Sequence, residues 1–154
     1  MRTLLLYGHI VGAIVWIGGA VMFNVLSGRM RKAGNADQVA HIVEESVWLG
    51  KSFYTPAAIW VLATGITLVL TSSGAFDFKD TFVVVGIAVV IGSGVLGGVY
   101  YGKEAEAISQ GARSKGIADP DVKQRLDRIR MVSWLEIAAL LLVELLMVYR
   151  AGAY

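Results

Sequence analysis

Three side chains stand out because they can do chemistry inside apolar surroundings: His9, Glu136 and Glu144. His9 lies in the uncharged stretch 4–28, and Trp16 follows seven positions later, two helical turns on and therefore on the same face. An imidazole in such a segment needs a partner, a ligand or a cavity. Three chemistries are open to it: an interhelical hydrogen bond to Glu144 or to a threonine, ligation of a haem or metal, and a proton or substrate relay. Glu136 and Glu144 interrupt the otherwise uncharged run 131–149. A carboxylate at membrane depth costs several kcal/mol unless it is paired, hydrated or protonated. Eight residues separate the two, about 80° around a helix, so both can face a common interior. No Lys or Arg lies in the apolar runs. At least one glutamate is therefore expected neutral or bound to a cation, while Glu136 also has the option of pairing with Arg130 or snorkelling to the interface.

The elements that must position these groups are membrane helices. Of the 154 residues 56% are hydrophobic, and the mean hydropathy is +0.62. The apolar residues fall in runs 3–28, 52–76, 81–102 and 131–149, each long enough to cross about 30 Å of hydrocarbon. The first is longer than the apolar core of a secretory signal and reads as a retained helix. The expected fold is all-α: a single transmembrane domain, 1–154, forming an antiparallel four-helix bundle with helices about 3–28, 52–72, 81–107 and 120–150.

Polar segments refine this plan. Asn35 with Gln38 reads as an N-cap, and Val39, Ile42, Val43 and Val47 recur at helical spacing. They predict a short amphipathic helix in the first connection, lying on the membrane or on the bundle. Asp119-Pro120 opens the fourth helix, which is expected to extend beyond the bilayer. Basic residues crowd between helices 1 and 2 (Arg29, Arg31, Lys32, Lys51) and between helices 3 and 4 (Lys103, Arg113, Lys115, Lys123, Arg125, Arg128, Arg130). The positive-inside rule then puts both connections in the cytoplasm and both termini outside, as in a multi-pass protein of a bacterial inner membrane. The lipid bilayer explains these charges, and interleaved acidic residues speak against nucleic acid. The chain has no cysteine, which removes disulfides, thiolate metal sites, iron-sulfur clusters and cysteine nucleophiles.

Antiparallel packing sets depth. His9 lies about 9 Å below the outer boundary, and Glu144, six residues before Arg150, lies at the same level. Met147 is one turn above Glu144, and Trp16 comes level with Ile137, close to Glu136. A metal would take His9 and Glu144. A haem b would take His9, with Trp16 beside it, and as second ligand Met147, another weak ligand or a histidine from a second subunit, because His41 belongs to the connection. In helix 3, Gly94, Gly98 and Gly102 form overlapping G-x-x-x-G units, suited to packing within the bundle, to a homo-oligomer face or to a gap for a flat ligand.

His9-Ile10, Trp16 and Gly18-Gly19 resemble the first-helix H-x6-W-x-G-G signature of small four-helix bacterial membrane proteins. These are the copper-resistance D type and the oxygen-independent membrane protoporphyrinogen oxidases. The layout, with Pro56, Thr64-Gly65 and Met147-Val148, is similar to an uncharacterised integral-membrane relative of both. In place of the oxidases' Leu-Pro-Arg stands Met22-Phe23-Asn24-Val25, and their Asn-Glu-x-Pro is reduced to Leu135-Glu136. The resemblance implies haem or porphyrin chemistry at His9. The function expected is a haem-, porphyrin- or metal-linked binding or redox role; the alternatives are a structural or accessory subunit of a membrane complex and a proton-coupled transporter.

Overall fold

Proline and glycine positions decide how the helices are joined. The structure, a computed structural model, describes residues 2–32 and 35–151; the side chains of Met30 and Arg31, expected at the headgroups, lie outside the described part. Helix α1 spans Arg2–Lys32, α2 Ala36–Leu49, α3 Thr55–Leu70, α4 Thr81–Val95, α5 Gly102–Lys115 and α6 Pro120–Ala151. A π-helical turn, Gly50–Tyr54, joins α2 to α3, and another, Leu96–Tyr101, joins α4 to α5. The joints keep right-handed helical dihedrals. The described residues therefore form four rods with no strand, and each is long and apolar enough to cross a membrane.

The segment expected as a separate amphipathic helix is the first half of the second rod. Pro56 accounts for the joint. A proline inside a helix lacks the donor and crowds the carbonyl four residues back. The wider turn relieves this, and the Thr55 hydroxyl donates to the Gly50 carbonyl at 2.8 Å. The third rod also continues past Ala107 to Lys115. Gly111 stays helical there because it lets α6 approach: a Cβ at this position would meet Val122 Cγ2 at 2.8 Å.

Caps stop and start the rods where turn chemistry predicts. Asn35 Oδ1 accepts from the amides of Asp37 and Gln38, and Asp119 Oδ1 from those of Asp121 and Val122. Between α3 and α4 the chain reverses through Ser73 and Gly74, both left-handed, while Ser72 Oγ exchanges hydrogen bonds with the backbone of Phe76. Gly116, with φ of 82°, ends α5.

The rods form a ring in which α1 packs on α3, α3 on α4, α4 on α6 and α6 on α1. Ala13, Trp16, Val61 and Leu140 form its buried core. Beyond the π turns the partners change, and α2 packs chiefly on α5, with α6 beside them. A second core fills that end, built from Val39, Ala40, Ile108, Ala112, Val122 and Leu126. Its rim carries ion pairs from Arg113 to Glu44 and from Arg125 to Glu104 and Asp121. The outer faces of the four spans expose large apolar residues such as Leu4, Ile14, Ile59, Leu70, Ile91, Leu135 and Leu145. Lipid is the solvent that suits such a surface.

Candidate functional site

His9 is buried on the α1–α3 seam, 7% exposed, with Nδ1 3.0 Å from Thr64 Oγ1. Hydrogen-bond accounting assigns the ring's tautomer. The single proton of the Thr64 hydroxyl goes to its own helix, towards the carbonyls of Trp60 at 2.7 Å and Val61 at 3.1 Å. With that proton so assigned, Thr64 Oγ1 accepts from His9, which places the ring hydrogen on Nδ1 and leaves Nε2 its lone pair.

Glycines allow this approach on both sides of the seam. The imidazole lies over Gly65, whose Cβ would stand 3.1 Å from His9 Cε1. In the opposite direction Trp60 of α3 covers Gly8 and Gly12 of α1 and donates its indole N–H to the Gly8 carbonyl at 2.9 Å. Farther along, Phe53 and Tyr54 rest on Gly19. The glycine strip of the first helix is thus the floor for the aromatic residues of the second rod.

The other expected site residues occupy different seams. Trp16, 5% exposed, packs in the bundle core with Ala13, Val61 and Leu140. The Met147 methyl lies 3.2 Å from the place a Gly86 Cβ would take, between α6 and α4. Glu144 is half-buried on α6 and makes no hydrogen bond or ion pair among the described residues. His9 is hydrogen-bonded to Thr64 instead of Glu144. Among the described residues no three metal-capable side chains gather in one place.

A second constellation lies where the spans meet the π turns. Tyr101, in the second π turn, donates its hydroxyl to Glu136 Oε2 at 2.7 Å. Ser133, one turn before Glu136, adjoins the same hydroxyl and accepts from Asn24 Nδ2 at 2.7 Å. Three rods thereby share one polar chain at membrane depth. Arg130 reaches towards Gly28 of α1, its guanidinium 4.0 Å from a Cβ placed there. Beside Glu136 a groove of about 370 Å³ runs between α4 and α6, walled by Val89, Gly92, Leu96, Val132, Leu135 and Ala139. Asn24, Ser133 and Tyr101 are absent from the sequence-based site, and their only signal there is polarity within apolar runs.

Four apolar rods and a buried polar seam agree with what the full-length comparison finds: residues 3–151 match a family described as "Predicted integral membrane protein (DUF2269)". The chain belongs to the DUF2269 family. No curated protein and no solved structure matches it. Family membership carries the integral-membrane assignment over nearly the whole sequence, in keeping with the four rods.

Proposed function

We propose that this DUF2269 protein binds a haem-type tetrapyrrole in the membrane, with His9 as the residue that would hold it. One observation carries the reading: His9 Nδ1 lies 3.0 Å from Thr64 Oγ1, whose own proton is directed to its helix, and with the ring hydrogen assigned to Nδ1 on that ground Nε2 is left with its lone pair. Metal-ligating histidines characteristically donate their other ring N–H in this way. The donor set decides the class of ligand. A bare metal ion does not fit, because no three metal-capable residues converge among the described ones. A tetrapyrrole brings four nitrogens of its own and asks the protein for one or two more. When bound it supplies one-electron redox chemistry; the protein's part is to hold the imidazole and exclude water. The first-helix likeness to the porphyrin-oxidising and copper-resistance groups supports the same reading. The positive-inside rule assigns the basic end of the bundle to the cytoplasm of a bacterium, with both termini across the membrane.

The test is the absorption spectrum of protein purified from haem-supplied cells. A Soret band is expected, lost in His9→Ala and retained, though shifted, in Thr64→Val. Protein that is colourless and takes up no hemin on titration would overturn the proposal.

A second reading, an accessory subunit that assembles through helix 3, is favoured by a specific feature of the glycine stripe. A Cβ at Gly94, Gly97, Gly98 or Gly102 would meet nothing within 4 Å. The stripe is therefore not spent on packing within the bundle and lies free for another helix, including that of a second copy. Gly98→Leu is expected to weaken self-association measured by cross-linking in bilayers. A wild-type protein that stays monomeric there removes the homo-oligomer.

A further inference from the structure

We propose that the groove between α4 and α6 binds a lipophilic organic cation from the bilayer, with Glu136 as its counter-charge. This site is separate from His9 and does not rest on the tetrapyrrole reading.

The groove has the form such a ligand needs. Its walls are largely apolar, from Val89 and Leu96 on one side to Val132, Leu135 and Ala139 on the other, with Ser93 the one polar wall residue besides Glu136, its charged group. Gly92 leaves a gap in the α4 wall, since a Cβ there would meet nothing within 4 Å. Leu135 on the rim is 63% exposed, so the groove opens sideways towards lipid. At about 370 Å³ it is within the size range of small-molecule sites.

Charge decides the occupant. Glu136 lies six residues beyond Arg130, roughly 9 Å along the helix. Tyr101 holds Oε2 from the bundle side, which fixes the carboxylate at the inner edge of the groove. Among the described residues no ion pair involves Glu136. The apolar runs 3–28, 52–76, 81–102 and 131–149 contain no Lys or Arg, so a second copy lying on the groove has no cation to offer from those runs. A carboxylate at membrane depth is costly unless it is paired, hydrated or protonated, and a cation in the groove supplies the pairing. A flat or globular apolar body bearing a delocalised positive charge satisfies both the walls and the carboxylate, and it partitions into the bilayer from which the groove is reached.

The experiment uses the full chain in nanodiscs with tetraphenylphosphonium as the probe, measured by equilibrium dialysis against empty nanodiscs. Saturable binding is expected, weakened about tenfold or more by Glu136→Gln, the change a lost desolvated charge pair produces. Gly92→Leu should weaken it similarly by filling the groove while leaving thermal stability unchanged, which guards against reading a folding failure as a lost site. Neutral tetraphenylmethane should bind no better than to empty nanodiscs. Equal affinity in Glu136→Gln, equal affinity in Gly92→Leu, or matching uptake of the neutral probe would each overturn the proposal. So would a Leu135→Cys variant that cross-links between copies in a protein that takes up no probe, since the groove would then be an interface.

Discussion

The indole N–H of Trp60 donates to the backbone carbonyl of Gly8 at 2.9 Å, and its ring occupies the space that a side chain at Gly12 would need. Next to Gly8, His9 reaches the other way across the seam to Thr64, one turn beyond Trp60, and lies over Gly65. The two contacts interlock, with a large side chain from each rod seated on a glycine of the other. In a bilayer, where burying apolar surface gives little drive between helices, such close approach and interhelical hydrogen bonding supply the association energy.

Gly12→Ala is therefore expected to destabilise the bundle although the added group is a single methyl. Its Cβ would stand 2.7 Å from Trp60 Cδ1 and 3.2 Å from Val61 Cγ2, and the indole cannot swing aside without leaving the Gly8 carbonyl. Overpacking of this kind costs about 1–3 kcal/mol. Thermal unfolding in detergent checks it, with Gly98→Ala as the contrast, since a methyl there meets open space. Equal melting temperatures for the two variants would contradict the seam.

Thr64→Val should cost about 1 kcal/mol, as interhelical hydrogen bonds in membranes do, and should release the ring orientation. The ¹⁵N shifts of His9 read this directly. The wild type is expected to show a protonated Nδ1 and an unprotonated Nε2, Thr64→Ser to keep that pattern, and Thr64→Val to broaden or lose it. A protonated Nε2 in the wild type would remove the lone pair on which ligation depends.

His9 is legible in the sequence as a polar intruder, and the membrane bundle follows from the four apolar runs. The choice between the two candidate partners of His9, Glu144 and a threonine, is not legible. Matching depths puts His9 level with Glu144, but depth fixes height along the membrane normal and leaves rotation about each helix open; the structure pairs the ring with Thr64. The π turns explain much of the remainder. Each shifts the helical register part-way along a rod, so α2 and α3 present different faces to different partners. In nearly uniform apolar runs such as 81–102 the hydrophobic pattern has too little contrast to show that shift. The same shift sets Tyr101 beside Glu136, where sequence proximity offers Arg130.

The polar chain across three rods should behave as a unit. Tyr101→Phe removes the hydroxyl that Glu136 accepts from, and Asn24→Leu removes the donor to Ser133. Each is expected to lower stability by about 1 kcal/mol. Combining Tyr101→Phe with Glu136→Gln should cost less than the sum of the separate changes, with a coupling of about 0.5–2 kcal/mol. Strict additivity in a double-mutant cycle would mean that the contact carries no energy.

The projecting end offers the cleanest separation of the two cores. Gly111 of α5 faces Val122 of α6 so closely that a Cβ would lie 2.8 Å from Val122 Cγ2, and Val122 is 1% exposed. A valine at the start of a long helix, with its χ1 confined by β-branching, has little room to turn away. Gly111→Ala is thus expected to push α5 from α6 at a cost of about 1–3 kcal/mol, read as faster amide exchange in α2 and α5. The spans should keep their protection, because Ala13, Trp16, Val61 and Leu140 form a core of their own. Adding Val122→Ala removes the atom in conflict, and the double variant should recover part of what Gly111→Ala loses even though Val122→Ala alone is destabilising. If the two changes simply add, the 2.8 Å approach is not what holds position 111 to glycine.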